Sequence, residues 1–369
     1  MGHRRYNCIL LFITLASILG VTVSTLNEFS IISYKDISEE RGLELFEQWA
    51  KKHGKVYGCM EEKEKRLLNF IENLHYVLEN NNYVKESGHQ VGLNVFADMN
   101  NDEFKEVYTP KRIMKKKPNV GGESRASKVS CEAPMSLDWR KKGVVTGVKN
   151  QGQCGKCKKI FNEEAVDPSL QLEPWKELID CDTTNEGCDG GYMDYAFEWV
   201  INNGGIDSES DYPYTGLDGV CNVTKEEIKL VTIDGYEDVD PSEGALLCAV
   251  VKQPISVGID GSSLDFQLYT GGIYDGDCSS NPNDIDHAVL IVGYGSQGNT
   301  DYWIVKNSWG TSWGMEGYIY IKRNTELPYG NSGDKIGVAA KKRKLAKHKF
   351  PWTKSKETLN SDGPLLWKS

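Results

Sequence analysis

The chain has 369 residues, with 53 Asp and Glu against 43 Lys and Arg, for a formal net charge of −10. Hydrophobic residues at 39% and charged residues at 26% fit a soluble globular protein with one sizeable domain and a smaller one. The acidic balance argues against nucleic acid as the main partner, although the stretch from Asn331 onward holds ten Lys and Arg against three Asp and Glu.

At the N-terminus, Arg4 and Arg5 precede the apolar run from Cys8 to Val23. A basic region before a short apolar core reads as a secretory signal peptide over residues 1–24. A membrane anchor is the alternative, but the run is short for a span and includes two Thr, a Ser and a Gly. No later stretch is long and apolar enough to cross a bilayer. Secretory entry makes disulfides permissible.

From Leu43 to about Lys85 the pattern is helical. Phe46, Trp49 and Ala50, and then Leu67, Phe70, Leu74 and Val77, recur at spacings of three and four among abundant Glu and Lys. Thr109 to Ala133 is polar, Lys-rich and Gly/Ser-containing, the composition of a cleavable linker. Beyond about Asp211 come short β-branched and aromatic runs bounded by Gly, Asp and Asn: Ile255–Ile259, His287–Gly293, Tyr302–Lys306 and Gly317–Ile321. Lys341–Lys344 reads as a nuclear-localisation or polyanion patch, or, behind a signal peptide, as part of a disordered tail.

Ten cysteines are present. Cys8 leaves with the signal peptide, Cys59 lies in the leading segment and Cys131 near its end. Cys154, Cys157, Cys181, Cys188, Cys221, Cys248 and Cys278 remain, an odd number that suits one free thiol among bridges. Asn222-Val-Thr224 is a glycosylation sequon.

The chemistry-bearing stretch runs from Asn150 to Lys158. It holds Cys157 with the side-chain amide of Gln151 six residues upstream, while His287 and Asn307 lie 130 and 150 residues downstream of Cys157. A nucleophilic thiol needs a base to hold it as thiolate, and the base needs an orienting group. Singly, each residue has a bland reading: a core or bridged cysteine, a satisfied histidine, a turn at Asn307-Ser-Trp-Gly310.

In order and at these separations the residues resemble a papain-like cysteine protease of the plant vacuolar type, over roughly Leu43 to Gly330. Glu62, Arg66, Phe70, Asn73, Val77 and Asn81 match that family's inhibitory prosegment helix, and Gly92, Asn94, Phe96 and Asp98 match its second prosegment motif. The implied fold is α+β: a helical lobe and a β-barrel-like lobe, preceded by a small helical inhibitory prodomain. The implied division is signal peptide 1–24, propeptide 25–132 with its prodomain at about 43–105, peptidase domain 133–330 and basic tail 331–369.

The resemblance implies Cys157 as nucleophile, His287 as base and acid, Asn307 as its orienting group under the Trp309 ring, and Gln151 as oxyanion donor. Gly190 and Gly191 would bind substrate backbone. Tyr192, Met193, Gly258 and Ile285 would line a pocket for a bulky apolar P2 residue. Bridges Cys154–Cys188 and Cys181–Cys221 follow by the same resemblance, as do peptide or protein substrates, the chain's own propeptide as intramolecular inhibitor, cystatin-like inhibitors as partners and a monomeric state. No cofactor or metal is expected. The expected destination is the vacuole, the lysosome or the exterior. Prosegment carboxylates would sense acidification by losing their ion pairs on protonation.

Two stretches depart from the pattern. The family reads Cys-Gly-Ser-Cys-Trp where this chain has Cys154-Gly-Lys156-Cys157-Lys158, and Pro168 interrupts what should be a long helix. After Gly330 the text turns basic, the expected closing strand is lost and Cys278 has no C-terminal partner. A thioredoxin-type reading of Cys154-Gly-Lys-Cys157 lacks a good strand before it and a clean helix after it. A zinc site from Cys154, Cys157, Cys181 and Cys188 is disfavoured by the secretory route. The main alternative is a catalytically inactive papain-fold protein whose prosegment inhibits related proteases.

Overall fold

The computed structural model describes residues 38–82, 88–109, 131–152, 175–227, 229–240, 242–276, 285–324 and 337–345. The predicted helical stretch is a hairpin of α1 (Glu39–Lys52) and α2 (Met60–Asn82). The Ser38 side chain caps α1 by accepting from the Arg41 N–H. The apolar stripe of each helix faces the other, and Leu45, Phe46, Trp49, Ala50, Phe70 and Leu74 form one buried cluster. The chain then runs through strand β1 (His89–Val91) into α3 (Asn101–Tyr108), capped by Asn100 accepting from the Glu103 N–H.

The larger body opens with β2 (Leu137–Asp138) and continues through α4 (Trp175–Cys181), α5 (Met193–Asn202) and α6 (Val223–Glu226). Strands follow: β3 (Ile233–Asp238), β4 (Ile255–Ile259), β5 (Tyr269–Tyr274), β6 (His287–Gln297), β7 (Thr300–Lys306), β8 (Tyr318–Lys322) and β9 (Gly337–Leu345). Helix α7 (Glu243–Val250) lies between β3 and β4, and α8 (Leu264–Gln267) between β4 and β5. The sheet order is β1-β5-β8-β7-β6-β4-β9-β3, with β2 paired to β6. Only β5 and β8 pair in parallel among the described strands. Strand β4 is buried throughout, as is β6 from His287 to Gly295, which explains why they read as nearly continuous apolar runs. The architecture is α+β, as expected: a helical hairpin leads into a body of helices and one large sheet.

Strand β9 lies within the stretch expected to form a basic, disordered tail after residue 330. Gly337–Leu345 pairs with β4 on one side and β3 on the other, Lys341 standing opposite Asp238 and Lys342 opposite Glu237. Both neighbours have backbone groups that need partners along those edges, and backbone pairing does not require an apolar sequence. Residues 325–336 and those beyond 345 lie outside the described residues, as do 1–37 and the linker 110–130. Among the described residues no helix is long and apolar enough to cross a membrane.

Strand β1 adds itself to the edge of the body's sheet through β5, His89 opposite Gly272 and Gln90 opposite Gly271. This approach depends on Gly272, whose φ is +78°. A Cβ there would stand 1.9 Å from the Gly88 carbonyl oxygen.

Cys181 and Cys221 are disulfide-bonded, joining α4 to the turn before α6, with Cα atoms 4.7 Å apart. Cys131 is bonded to Cys248 on α7, Cα atoms 5.6 Å apart, a pairing no sequence argument supplied. Cys188 is disulfide-bonded too. Cys154, its expected partner, lies outside the described residues, as does Cys278.

Candidate active site

His287 is the first residue of β6 and Asn307 follows the last residue of β7, so antiparallel pairing of these strands brings the two side by side. Asn307 Oδ1 accepts from the Ser308 N–H at 2.7 Å and lies 3.0 Å from His287 Nε2. Because a backbone N–H needs an acceptor, the amide oxygen faces this way, and Nε2 must be the donor to it. The Trp309 ring stacks on the imidazole with centroids 4.7 Å apart and planes at 27°. His287, Asn307 and Trp309 are each 1% exposed or less, so the hydrogen bond is shielded from water.

Gln151 reaches the same place through a short backbone contact between residues 149–151 and 308–310. Its N–H donates to the Ser308 carbonyl at 3.1 Å, Gly310 N–H donates to Lys149, and Asn150 bridges Trp309. The Tyr214 hydroxyl donates to the Gln151 carbonyl at 2.7 Å, holding the loop from the other side. Gln151 is 1% exposed and its Nε2 has no hydrogen-bond partner among the described residues. A buried unsatisfied amide donor is costly, which marks a group kept for something that binds later. Sequence reasoning missed Tyr214 and Ser308, since their contacts with Gln151 span 63 and 157 residues.

Electrostatically the site is lined by a muted cation. Lys306 precedes Asn307 and is 4% exposed, with Nζ donating to Thr146 Oγ1 at 3.1 Å. Burial, and then the charge of Lys149, push its ammonium down to about 7. Asp286, beside His287, accepts from the Gly261 N–H at 2.9 Å.

The residues expected to bind substrate fall in two groups. Gly190, Gly191 and Tyr192 form the loop entering α5, where Asn185 Oδ1 accepts from the Tyr192 N–H at 2.8 Å. A Cβ on Gly191 would lie 1.9 Å from that oxygen, so only glycine fits beneath it. Gly258 lies mid-β4 opposite Ala288, and a Cβ on it would meet Ile285 Cγ2 at 2.7 Å. Met193 packs in the cluster that contains Ala288, which links the two groups. Cys157, Lys158 and Pro168 lie outside the described residues. Asn222 is exposed and caps α6. No His, Cys, Asp and Glu cluster that could hold a metal is found among the described residues.

The leading segment sits directly on this site. Phe96, Phe104 and Tyr108 meet Trp309 edge-on, with centroids 5.6, 5.1 and 5.9 Å from it. Asn94 Nδ2 donates to the Gln267 and Tyr269 carbonyls, and Gln267 Nε2 donates to those of Phe96 and Met99. Asp98 accepts from Lys55 and Tyr57, and Asn73 donates to the Ala97 and Met99 carbonyls, which ties the turn to the helical hairpin. His89 is wedged between two acids of the body, Nδ1 3.1 Å from Asp275 and Nε2 3.6 Å from Asp265.

Residues 133–341 match the family model for papain family cysteine proteases, and residues 46–104 match that for the cathepsin propeptide inhibitor domain. The chain is 42% identical over 364 residues to cysteine proteinase RD21A of Arabidopsis thaliana, covering 92% of this chain and 75% of that one. It is 43% identical over 343 residues to cysteine protease XCP2 of the same plant, covering 89% and 95%. Among solved structures, the proform of the ragweed pollen allergen and cysteine protease Amb a 11 superposes with a TM-score of 0.71 at 32% identity, covering 84% of this chain and 97% of that one.

Proposed function

The chain belongs to the papain family of cysteine proteases, with the family's propeptide inhibitor domain at residues 46–104, and from this we propose that it is a thiol endopeptidase made as a secreted zymogen and acting through Cys157, His287 and Asn307. The observation that carries the reading is the buried His287–Asn307 hydrogen bond under Trp309, with the amide of Gln151, which has no partner among the described residues, alongside. Asn307 holds the imidazole by Nε2, so proton exchange with the Cys157 thiol falls to Nδ1. The resulting thiolate–imidazolium pair lowers the thiol's pKa from its ordinary value near 8.5. The thiolate attacks the scissile carbonyl, Gln151 Nε2 and the Cys157 N–H receive the developing oxyanion, and His287 protonates the leaving amine. Water then releases the acyl group by the reverse sequence.

Gly190 and Gly191 bind the substrate backbone, and the pocket of Tyr192, Met193, Gly258 and Ile285 favours a bulky apolar P2 side chain. A signal peptide over 1–24, glycosylation at Asn222 and delivery to the vacuole, lysosome or exterior complete the reading. The propeptide ends near residue 132. The peptidase domain extends past 330 to include β9, because both the strand pairing and the family match run beyond that point.

The test is covalent labelling with an irreversible thiol-directed epoxide after acid processing. Modification at Cys157 that His287→Ala abolishes supports the enzyme. A folded protein that takes no label supports instead an inactive papain-fold chain whose prosegment inhibits relatives, a reading that draws on Lys158 standing where the family has Trp.

A further inference from the structure

Cys131 occupies an unusual place. The inhibitor-domain match ends at 104 and the peptidase match begins at 133, so this cysteine belongs to the leading segment by two residues. Yet it is bonded to Cys248 on α7, inside the body, across 117 residues of sequence. The chain on its C-terminal side is anchored independently of that bond. The Tyr294 hydroxyl donates to the Pro134 carbonyl at 2.9 Å, Leu137 and Asp138 pair with Tyr294 and Gly293, and Trp139 Nε1 donates to the Val250 carbonyl at 2.8 Å. Between these anchors residues 131–136 are exposed except for half-buried Ala133, and Leu137 is already buried.

Among the described residues of this stretch, the bonds between the sulfur and the first buried residue are therefore accessible to a protease. Of these, Ala133–Pro134 leads into a proline, whose nitrogen has no N–H and whose φ is fixed. The bond before it, Glu132–Ala133, opens the peptidase match.

We infer that Glu132–Ala133 is the maturation site and that the Cys131–Cys248 disulfide keeps the severed prosegment covalently attached to the body until a thiol reductant releases it. This rests on the zymogen reading above. Hydrolysis places water's OH on the Glu132 carbonyl, as a carboxylate after proton loss, and its H on the new Ala133 amine. Release then requires thiol–disulfide exchange. A low-molecular-weight dithiol gives two electrons and two protons to the Cys131–Cys248 bond, leaving two protein thiols and the cyclic oxidised reductant.

Until then cleavage changes little. The prosegment still presents β1 to β5 and Phe96, Phe104 and Tyr108 to Trp309. Those contacts now form intramolecularly, at an effective concentration on the order of millimolar for a short linker.

The experiment uses the full-length chain treated at acid pH with a trace of an active papain-family peptidase, so its own competence is not what is measured. N-terminal sequencing should place the body's start at Ala133. On denaturing gels without reductant the prosegment should stay with the body, separating only with dithiothreitol. Cys131→Ser and Cys248→Ser chains should separate under both conditions and lose the prosegment on gel filtration at acid pH. Mass spectrometry of an unreduced digest should show the two cysteine peptides joined, a readout that needs no variant to fold. A body starting upstream of Cys131, or a wild-type prosegment that leaves without reductant, would overturn the inference. Epoxide labelling of Cys157 answers the separate question of activity, and neither result alters the other.

Discussion

Asn307 holds His287 by a single hydrogen bond, Oδ1 to Nε2 at 3.0 Å, while the same oxygen is pinned by the Ser308 N–H. The orientation of the ring is thus set by backbone geometry at the end of β7. Asn307→Ala leaves the His287 Nε2–H and the Ser308 N–H without their acceptor, and loss of the bond to the imidazole costs about 1–3 kcal/mol. The expected fall in kcat/KM is roughly ten- to a hundredfold, measured on a dipeptide amide substrate, with the Cys157 alkylation rate falling in parallel.

Gln151→Ala removes the side-chain donor that the proposed mechanism assigns to the oxyanion. Loss of one such donor costs about 10²–10³ in kcat. KM and the rate of epoxide alkylation at Cys157 should change little, because neither requires a developing oxyanion. A KM effect as large as the kcat effect would show that Gln151 binds ground-state substrate.

The clasp at His89 gives the prosegment a defined acid limb. Burial alone would raise the Asp275 carboxyl, but the hydrogen bond from His89 and the charges of His89 and Lys322 outweigh it and hold the carboxyl below its ordinary value. Lys322 is 3.7 Å from Asp275, while Asp265 faces the other ring nitrogen, Tyr76 bonds Asp265, and the Tyr274 ring packs against the imidazole. A lowered carboxyl supports docking at pH above its ordinary value, near 3.9, and that support is lost as pH falls through the lowered one. Asp275→Asn should weaken the docking of β1 at neutral pH and remove this part of its acid dependence. Hydrogen exchange of the β1 amides from pH 3 to 7 measures both.

Glu177 gives the opposite sign. It is fully buried, accepts from the Asp207 N–H at 2.7 Å and lies 3.6 Å from Lys229. Burial pushes its carboxyl up from 4.5 to about 7, against the pull of the Asp207 N–H and Lys229. Between those values the folded chain keeps a proton that the unfolded chain gives up, so this group's contribution to stability falls as pH rises through that window. Glu177→Gln should flatten the dependence of the urea midpoint on pH between 5 and 7, relative to wild type.

Phe70 is fully buried in the hairpin cluster against Phe46 and Trp49. Phe70→Ala should destabilise the prosegment by about 3–5 kcal/mol. Loss of exchange protection in α2 with β4 and β6 unchanged is the expected outcome.

The prosegment was the most legible part of the sequence. Phe46, Trp49, Phe70 and Leu74 repeat at helical spacing because one face of each helix is buried. Arg66, Asn73 and Asn81 recur on α2 because Arg66 reaches the Asp98 carbonyl and the Glu103 carboxylate, Asn73 the Ala97 carbonyl and Asn81 the Val91 carbonyl. His287 and Asn307 were found by separation along the chain, since strands of fixed length must return them to one end of the sheet. The Cys131–Cys248 bond was not legible, because spacing does not specify connectivity. Strand β9 was hidden by Lys341–Lys344, because a charged run does not read as a strand while backbone pairing needs no apolar sequence. Tyr214 and Gly272 act through contacts that exist only once distant segments meet.

Gly272 has one more implication. The strand that silences the enzyme rests against a residue of the enzyme itself, at a spot where even a methyl group has no room. Restraint is therefore inherited in two places: in the segment that is discarded and in the part that is kept. A side chain at this position would leave every residue of the proposed site untouched and yet push away the strand that the leading segment lays on the sheet, so this one glycine belongs to the body by sequence and to the docking of the prosegment by contact.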